Sequence, residues 1–149
     1  MLKKCVWENY DEKQLKKLEK LSREYREFLD QGKTERECID TIVNMIEKEG
    51  YRELEALIKA GETLKKGDKV YSVWMNKSIA MFRVGQTPLT EGMNILGAHI
   101  DSPRLDVKQN PLYEEGGMAY LDTHYYGGVK KYQWVALPLA IHGVVVKKD

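Results

Sequence analysis

A histidine and an aspartate two positions apart carry the clearest chemical signal in this sequence. They are His99 and Asp101, and they lie within Gly97-Ala98-His99-Ile100-Asp101-Ser102-Pro103. A neutral imidazole binds zinc through one ring nitrogen while its other nitrogen donates a hydrogen bond to an orienting carboxylate. We therefore interpret His99 as a candidate metal ligand and Asp101 as the carboxylate that orients it. The spacing alone leaves a second interpretation open, a purely structural His–Asp pair.

The other residues that could ligate a metal show no spacing that links them to His99. His124 and His142 lie separately in aromatic or apolar surroundings, which favours core or edge positions for both. Cys5 and Cys38 lack the close spacing of metal knuckles or redox motifs. We predict two reduced thiols.

The sequence predicts a strand for the segment that contains His99. Residues 93–100 are mostly apolar and do not alternate, which is typical of a strand buried on both faces in the centre of an α/β sheet. Side chains two apart in a strand point to the same face, so His99 and Asp101 would lie side by side at its carboxyl end. Ligands usually bind at that end of such a sheet.

The first fifty residues predict two amphipathic helices. The first has an apolar stripe from Leu15 to Leu29, expected to pack in the core, and Gly32 is placed to end it in a left-handed turn. Thr34 and Glu37 form a capping box at the start of the second helix. Gly50 is placed to end that helix.

The remainder of the chain predicts short helical and strand segments. A helical turn is expected within residues 51–58, and two strands at 69–75 and 78–84 are joined through Asn76-Lys77. A short strand at 105–108 is expected to end in a turn at Asn110-Pro111, and glycine pairs bracket a further strand at 118–126. Helices therefore precede a mixed sheet, and the buried strand expected at 93–100 is what favours the α/β class.

Composition excludes several classes of function. The chain has 149 residues, of which 42% are apolar and 32% charged, and its formal net charge is +1. Because the charges nearly cancel and no basic stripe is present, we expect no nucleic-acid partner. No apolar run approaches the roughly 18 residues that span a membrane, so we expect a cytoplasmic protein.

Two blocks of sequence resemble the M18 family of metalloaminopeptidases. The segment from Gly97 to Lys108 is similar to the family's first zinc-ligand segment, and Tyr126-Gly127-Gly128 followed by Trp134 resembles its next recognisable block. Asn76-Lys77-Ser78 is compatible with this resemblance. The implied fold is a zinc-peptidase α/β domain interrupted by an inserted β-rich dimerisation domain. The resemblance assigns residues 1–108 to the first part of the catalytic domain and 109–149 to the start of the insert.

The resemblance also implies a reaction. Members of the family hydrolyse the amino-terminal peptide bond of a peptide substrate with two metal ions, usually zinc, with cobalt or manganese as alternatives. His99 corresponds to the ligand of one ion, and Asp101 to the residue that orients it. The bridging aspartate, the catalytic glutamate and the other ligands have no counterpart here. One histidine cannot hold two ions, so we expect this chain to be inactive by itself. The resemblance further implies a homo-oligomer.

Alternatives to a complete acid-specific enzyme remain open. The stretch 129–139 lacks the Asp-Arg-Asp-Leu of aspartyl aminopeptidases, which argues against a preference for acidic amino-terminal residues. The chain ends on Val144-Val145-Val146 followed by charged residues, and we interpret it as a truncated piece, with a complete small domain as the alternative. A non-catalytic β-rich oligomerisation or binding module is the second functional hypothesis, based on the aromatic stretch 118–134.

Overall fold

The structure, a computed structural model, describes residues 5–148. The backbone forms two compact units, which divide between residues 95 and 96. Helices precede strands along the chain, as the sequence predicts for an α/β protein. The boundary between residues 108 and 109 that the family resemblance implies stays a prediction. Among the described residues, no helix combines the length and the apolar character needed to cross a bilayer.

Two capped helices begin the first unit. A short 3-10 helix, Val6–Asn9, precedes α1, which runs from Glu12 to Gln31, and α2 runs from Glu35 to Lys48. The predicted capping box of α2 is confirmed: Thr34 accepts a hydrogen bond from the Glu37 backbone N–H, and the Glu37 carboxylate accepts one from the Thr34 backbone N–H. These bonds satisfy backbone donors that a helix start otherwise leaves exposed.

Two expectations for α1 are wrong. Its apolar stripe is not buried within the described chain, since Leu15, Leu21, Tyr25 and Leu29 are all exposed. Among the described residues, α2 is the helix that packs against α1, and these side chains remain exposed beside it. The residue that ends α1, Gly32, has φ −95° rather than a left-handed conformation. Glycine is needed there for space, because an added Cβ would lie 2.6 Å from the Cys38 sulfur.

A three-stranded sheet and a short helix complete the first unit. Strand β1 (Arg52–Glu53) pairs in parallel with β2 (Lys69–Trp74), which pairs in antiparallel with β3 (Ser78–Arg83). Helix α3 (Leu54–Lys59) confirms the predicted helical turn before Gly61. The turn from β2 to β3 is centred on Met75 and Asn76, both at positive φ, one residue earlier than predicted.

The core of this unit is small. Among the described residues, the buried side chains are those of Cys38 and Ile39 on α2, Leu57 on α3, and Val70 and Tyr71 on β2. The Tyr71 hydroxyl donates a 2.7 Å hydrogen bond to the Glu47 carboxylate of α2, which satisfies the one polar group of this ring. Helix α2 thus buries Cys38 and Ile39 in this core, whereas Ile42, Val43 and Ile46 on its apolar face are half-buried.

The second unit is a long β-hairpin with irregular segments on either side. Strand β4 runs from Arg104 to Glu115 and β5 from Met118 to Tyr126, joined by Gly116-Gly117, both at positive φ as a two-residue hairpin turn requires. A short helix, α4, spans Lys131–Trp134. Residues 135–148 form no helix or strand.

The turn predicted at Asn110-Pro111 is wrong. Both residues lie inside β4, at an irregularity where residues 108–111 face the single residue Asp122 of β5. Proline lacks a backbone N–H for the strand ladder, and a bulge is one of the few places within a sheet that tolerate this loss.

The strand predicted at residues 93–100 is also absent. This run forms no helix or strand, and Ile95 and Leu96 are 80% and 100% exposed. A strand buried on both faces requires neighbouring strands for its backbone groups, and no strand among residues 5–148 pairs with this one. Residues 93–100 thus have the apolar sequence of a buried strand, but the described chain contains no neighbouring strands with which they form a sheet.

Candidate metal-ligand site

The residues with candidate chemistry lie where an irregular segment enters β4. His99 and Asp101 precede the strand by five and three residues, and Tyr126, the last residue of β5, reaches the same place from the other strand of the hairpin. The structure thus brings His99 and Asp101 together, although neither is in a strand.

The His99 ring has one nitrogen engaged and one directed away. Its Nδ1 lies 3.1 Å from Asp101 Oδ1 and 3.0 Å from the Asp101 backbone carbonyl oxygen. Both neighbours are acceptors, so Nδ1 must carry the proton and donate. In the neutral ring the lone pair is then on Nε2, the nitrogen available to a metal. The side chain is 83% exposed, so nothing in the described chain covers the ring.

The Asp101 carboxylate is held through both of its oxygens. Oδ1 faces His99, and Oδ2 accepts a 2.9 Å hydrogen bond from the Tyr126 hydroxyl. The Tyr126 bond is the main reason that the pKa of Asp101 lies below its ordinary value; desolvation opposes this shift, and a backbone N–H and His99 add to it. The site therefore favours a charged carboxylate beside the imidazole.

Strand pairing fixes Tyr126. It lies opposite Arg104 in the β4–β5 register, and the Arg104 guanidinium is 4.4 Å from the centre of the tyrosine ring. Arg104 in turn donates a 2.7 Å hydrogen bond to Asp106 and a weaker one of 3.4 Å to the Ser102 carbonyl. Sequence reasoning treated Tyr126 only as part of a motif and gave Arg104 no role. If the two predicted strands are paired, Arg104 and Tyr126 come to lie opposite each other, and this could have suggested the contact between the guanidinium and the ring.

The segment that carries His99 and Asp101 lies close to the end of β5, because Pro103 approaches the backbone of Gly127. Gly127 has φ +72°, and a Cβ built on it would lie 3.3 Å from Pro103 Cα. Any other residue at 127 would be strained by this φ, and its Cβ would require Pro103 to move by a few tenths of an ångström. The neighbouring Gly128 has neither constraint.

The remaining candidates do not complete a metal centre. His124 is exposed on β5 with Nδ1 3.4 Å from the next residue's carbonyl oxygen, and His142 is exposed in an irregular segment. Cys5 and Cys38 are free thiols, as predicted. Between residues 5 and 148, no group of three or more His, Cys, Asp or Glu side chains is arranged to hold a metal ion. The donor set fits one ligand of a metal site and its orienting carboxylate.

Comparison with known proteins identifies what this arrangement resembles. The sequence model for aminopeptidase I zinc metalloproteases (M18) matches residues 28–149. A "Probable M18 family aminopeptidase 1" from Clostridium acetobutylicum is 58% identical over 146 residues, 98% of this chain and 31% of the relative. One of the same description from Thermotoga maritima is 44% identical over 149 residues, 100% of this chain and 31% of the relative.

Solved structures show the same likeness. The crystal structure of aminopeptidase I from Clostridium acetobutylicum superposes with a TM-score of 0.80 at 57% identity, over 99% of this chain and 33% of that one. That of aminopeptidase I from Borrelia burgdorferi gives a TM-score of 0.81 at 36% identity, over 89% and 32%. The chain thus spans about a third of the length of the proteins that it matches.

Proposed function

Because this chain belongs to the M18 family of zinc metalloproteases, we propose that it contributes the first metal ligand, His99, to the active site of an aminopeptidase. The observation that carries the proposal is the state of the His99 ring. Its Nδ1 faces two acceptors of Asp101, which leaves Nε2 directed outward with a lone pair. The pair lies within the region that matches the family.

In this proposal the residues of the chain have distinct tasks. His99 binds zinc through Nε2, and Asp101 fixes the ring orientation and the tautomer while its negative charge makes the imidazole a better ligand. When bound, zinc polarises the scissile carbonyl and makes water a nucleophile at neutral pH. Cobalt or manganese could take its place, and the complete site is proposed to hold two ions.

The proposed reaction is hydrolysis of the amino-terminal peptide bond of a peptide, by a homo-oligomeric protein. These properties are extended from the relatives, which are described as aminopeptidases. The sequence departure at residues 129–139 leads us to propose no preference for acidic amino-terminal residues. We further propose that the 149-residue chain alone hydrolyses nothing, since its described residues provide no multi-ligand metal group.

Metal loading and substrate hydrolysis test the proposal. The protein encoded by the complete open reading frame is stripped with a chelator, reloaded with zinc, cobalt or manganese, and assayed with a panel of chromogenic aminoacyl amides. Amino-terminally acetylated versions of the same substrates are the controls, since an aminopeptidase requires a free amine. We expect turnover of the free-amine substrates only, in the metal-loaded protein only.

The His99→Ala variant tests the ligand. It is expected to lose bound metal and activity, whereas His124→Ala, which removes an exposed imidazole from β5, retains both. Full metal content and turnover in His99→Ala, with the fold intact, would remove His99 from the site.

A non-catalytic binding module is the second candidate function. Among the described residues, β4 and β5 pair only with each other, and Tyr113 and Tyr120 stack at 5.2 Å on the exposed hairpin. A strand edge of this kind is a template for a partner. Self-association of the complete protein without metal-dependent turnover would favour this candidate over the enzyme.

A further inference from the structure

We infer that Tyr126 is a positioning residue, whose hydroxyl holds the Asp101 carboxylate so that the His99 ring presents Nε2 outward. The inference deepens the proposed function, on which its metal-binding part rests. Its structural part concerns the hydrogen-bonded chain from Tyr126 through Asp101 to His99.

The carboxylate has a separate partner on each oxygen. Tyr126 Oη donates to Oδ2 at 2.9 Å, and His99 Nδ1 lies 3.1 Å from Oδ1. Rotation of the carboxylate away from Tyr126 would therefore also displace one of the two acceptors of His99 Nδ1 and leave only the backbone carbonyl oxygen of Asp101, at 3.0 Å. The Asp101 side chain is 34% exposed, so without the hydroxyl, water competes for Oδ2 and the carboxylate is free to turn. The phenol removes this freedom.

Tyr126 is better fixed than the two residues that it positions. His99 and Asp101 lie in a segment without regular structure, whereas Tyr126 ends β5 and is paired with Arg104. The Arg104 guanidinium covers the tyrosine ring at 4.4 Å and is itself held by Asp106 at 2.7 Å. The hydroxyl thus connects the Asp101 carboxylate to a residue whose place is set by strand pairing.

This role differs from simple structural support in what it affects. A hydroxyl that only tied the loop to the hairpin would change stability but would leave the proton on Nδ1 of His99. A hydroxyl that positions the carboxylate also shifts the balance between the two tautomers of His99, because the carboxylate is the charged one of the two acceptors that favour a proton on Nδ1. The tautomer of His99 in the metal-free protein is therefore the deciding measurement.

The test compares Tyr126→Phe with Tyr125→Phe in the full-length protein. Tyr126→Phe keeps the aromatic ring beside Arg104 and removes the hydroxyl that donates to Asp101. Tyr125→Phe makes the same change one residue earlier, on the opposite face of β5, where the ring contacts Lys131 instead. Histidine is labelled with ¹⁵N, and the tautomer of His99 is assigned from its two ring-nitrogen shifts in the metal-free protein at about pH 8.5, where free imidazole is neutral. Zinc affinity, kcat and KM are measured in parallel.

We expect Tyr126→Phe to shift His99 from a predominantly Nδ1-protonated ring to a mixture of tautomers, and to weaken zinc binding about threefold to tenfold. A residue that contacts a metal-ligating histidine directly typically changes metal affinity roughly 10–100-fold. We expect a smaller loss here, because Tyr126 contacts Asp101 and reaches His99 only through it. kcat should fall with KM little changed, and Tyr125→Phe should match the wild type in every measurement.

A wild-type tautomer in Tyr126→Phe would overturn the inference. Failure of the proposed function looks different: the wild-type protein would bind no zinc and cleave no substrate. The ring-nitrogen shifts of the metal-free protein would still decide the role of Tyr126 in that case.

Discussion

The imidazole Nδ1 of His99 lies between two acceptors of one residue, the carboxylate and the backbone carbonyl oxygen of Asp101, at 3.1 and 3.0 Å. A ring held in this way must donate from Nδ1, which assigns the tautomer from heavy-atom positions alone. The metal-ligand proposal requires this tautomer, and a structural His–Asp pair would permit it. Substitutions that change the carboxylate separate the two interpretations.

We predict that zinc affinity of the full-length protein falls in the order wild type, Asp101→Asn, Asp101→Ala. An asparagine replaces one of the two carboxylate oxygens by an NH2 donor, so it cannot accept at both positions, from His99 and from Tyr126. An alanine side chain accepts from neither, and only the backbone carbonyl oxygen of residue 101 then faces His99 Nδ1. Loss of a direct partner of a ligating histidine typically lowers metal affinity about 10–100-fold, and we expect Asp101→Ala within this range. Competition with a chromogenic chelator measures the effect.

The matched control for these variants is Asp122→Asn. Asp122 is a carboxylate of the same unit that pairs with Lys108 at 2.9 Å on the hairpin. Its neutralisation should leave zinc affinity unchanged. Equal affinities of Asp101→Ala and the wild type would show that the pair is structural.

Gly127 and Gly128 provide a second matched pair. Gly127→Ala forces a side chain into a left-handed conformation, which costs about 1–2 kcal/mol, and places its Cβ 3.3 Å from Pro103. Pro103 must move, and Asp101 lies two residues before it. We expect faster amide hydrogen exchange at residues 101–106 and weaker zinc binding in Gly127→Ala. Gly128→Ala, with an unconstrained φ and open space, should behave as wild type; indistinguishable variants would contradict the proposed close approach.

The two thiols should differ sharply in reactivity. Cys38 is buried, and burial together with the nearby carboxylates of Glu35 and Glu37 raises the pKa of its thiol. The thiolate is the reactive form, so alkylation of Cys38 at about pH 8 should be at least about tenfold slower than that of the exposed Cys5. Peptide mapping after timed iodoacetamide treatment measures both rates in one sample. Equal rates under native conditions would place Cys38 at the surface; in denaturant the rates should converge.

The helices and the β2–β3 hairpin are predictable from sequence because their signals are local. The capping box of Thr34 and Glu37 operates over four residues, and the apolar period of α2 spans one helix. The glycine pair 116–117 likewise determines its turn through its own φ values. None of these features depends on a distant part of the chain.

Features that depend on partners are not predictable in the same way. Residues 93–100 have the composition of a buried strand, but their conformation depends on neighbours that the described chain does not provide. The contact of Tyr126 with Asp101 joins residues 25 positions apart, and it follows from the register that pairs Arg104 with Tyr126. Asn110-Pro111 reads as a turn because a bulge and a turn favour the same residue types. His99 and Asp101 could be singled out because they are two residues apart, and the resemblance to the M18 family then assigned them to a metal site.

The Tyr71–Glu47 hydrogen bond predicts how the stability of the first unit depends on pH. Burial of the ring, followed by the bond to the Glu47 carboxylate and by nearby acidic charges, raises the pKa of Tyr71 from its ordinary value of 10 to about 12. Between these values the unfolded chain loses a proton that the folded chain retains, so the free energy of unfolding must fall as pH rises from 10 to 12. The stabilisation at stake is roughly 2–3 kcal/mol, fully present below pH 10.

Tyr71→Phe removes this titration and isolates its effect. The difference in unfolding free energy between wild type and Tyr71→Phe, from urea titrations followed by far-UV circular dichroism, should be constant up to about pH 10 and should fall above it. Glu47→Gln removes the carboxylate charge that disfavours the phenolate in the folded chain, so the fall should still begin at about pH 10 but should be smaller and should end at a lower pH. The matched control is Tyr132→Phe, since Tyr132 is an exposed ring in α4 and its loss should leave the wild-type pH dependence intact. A difference between wild type and Tyr71→Phe that stays level through pH 12 would mean that Tyr71 does not keep its proton in the folded chain, and that its hydroxyl does not form the buried bond to α2.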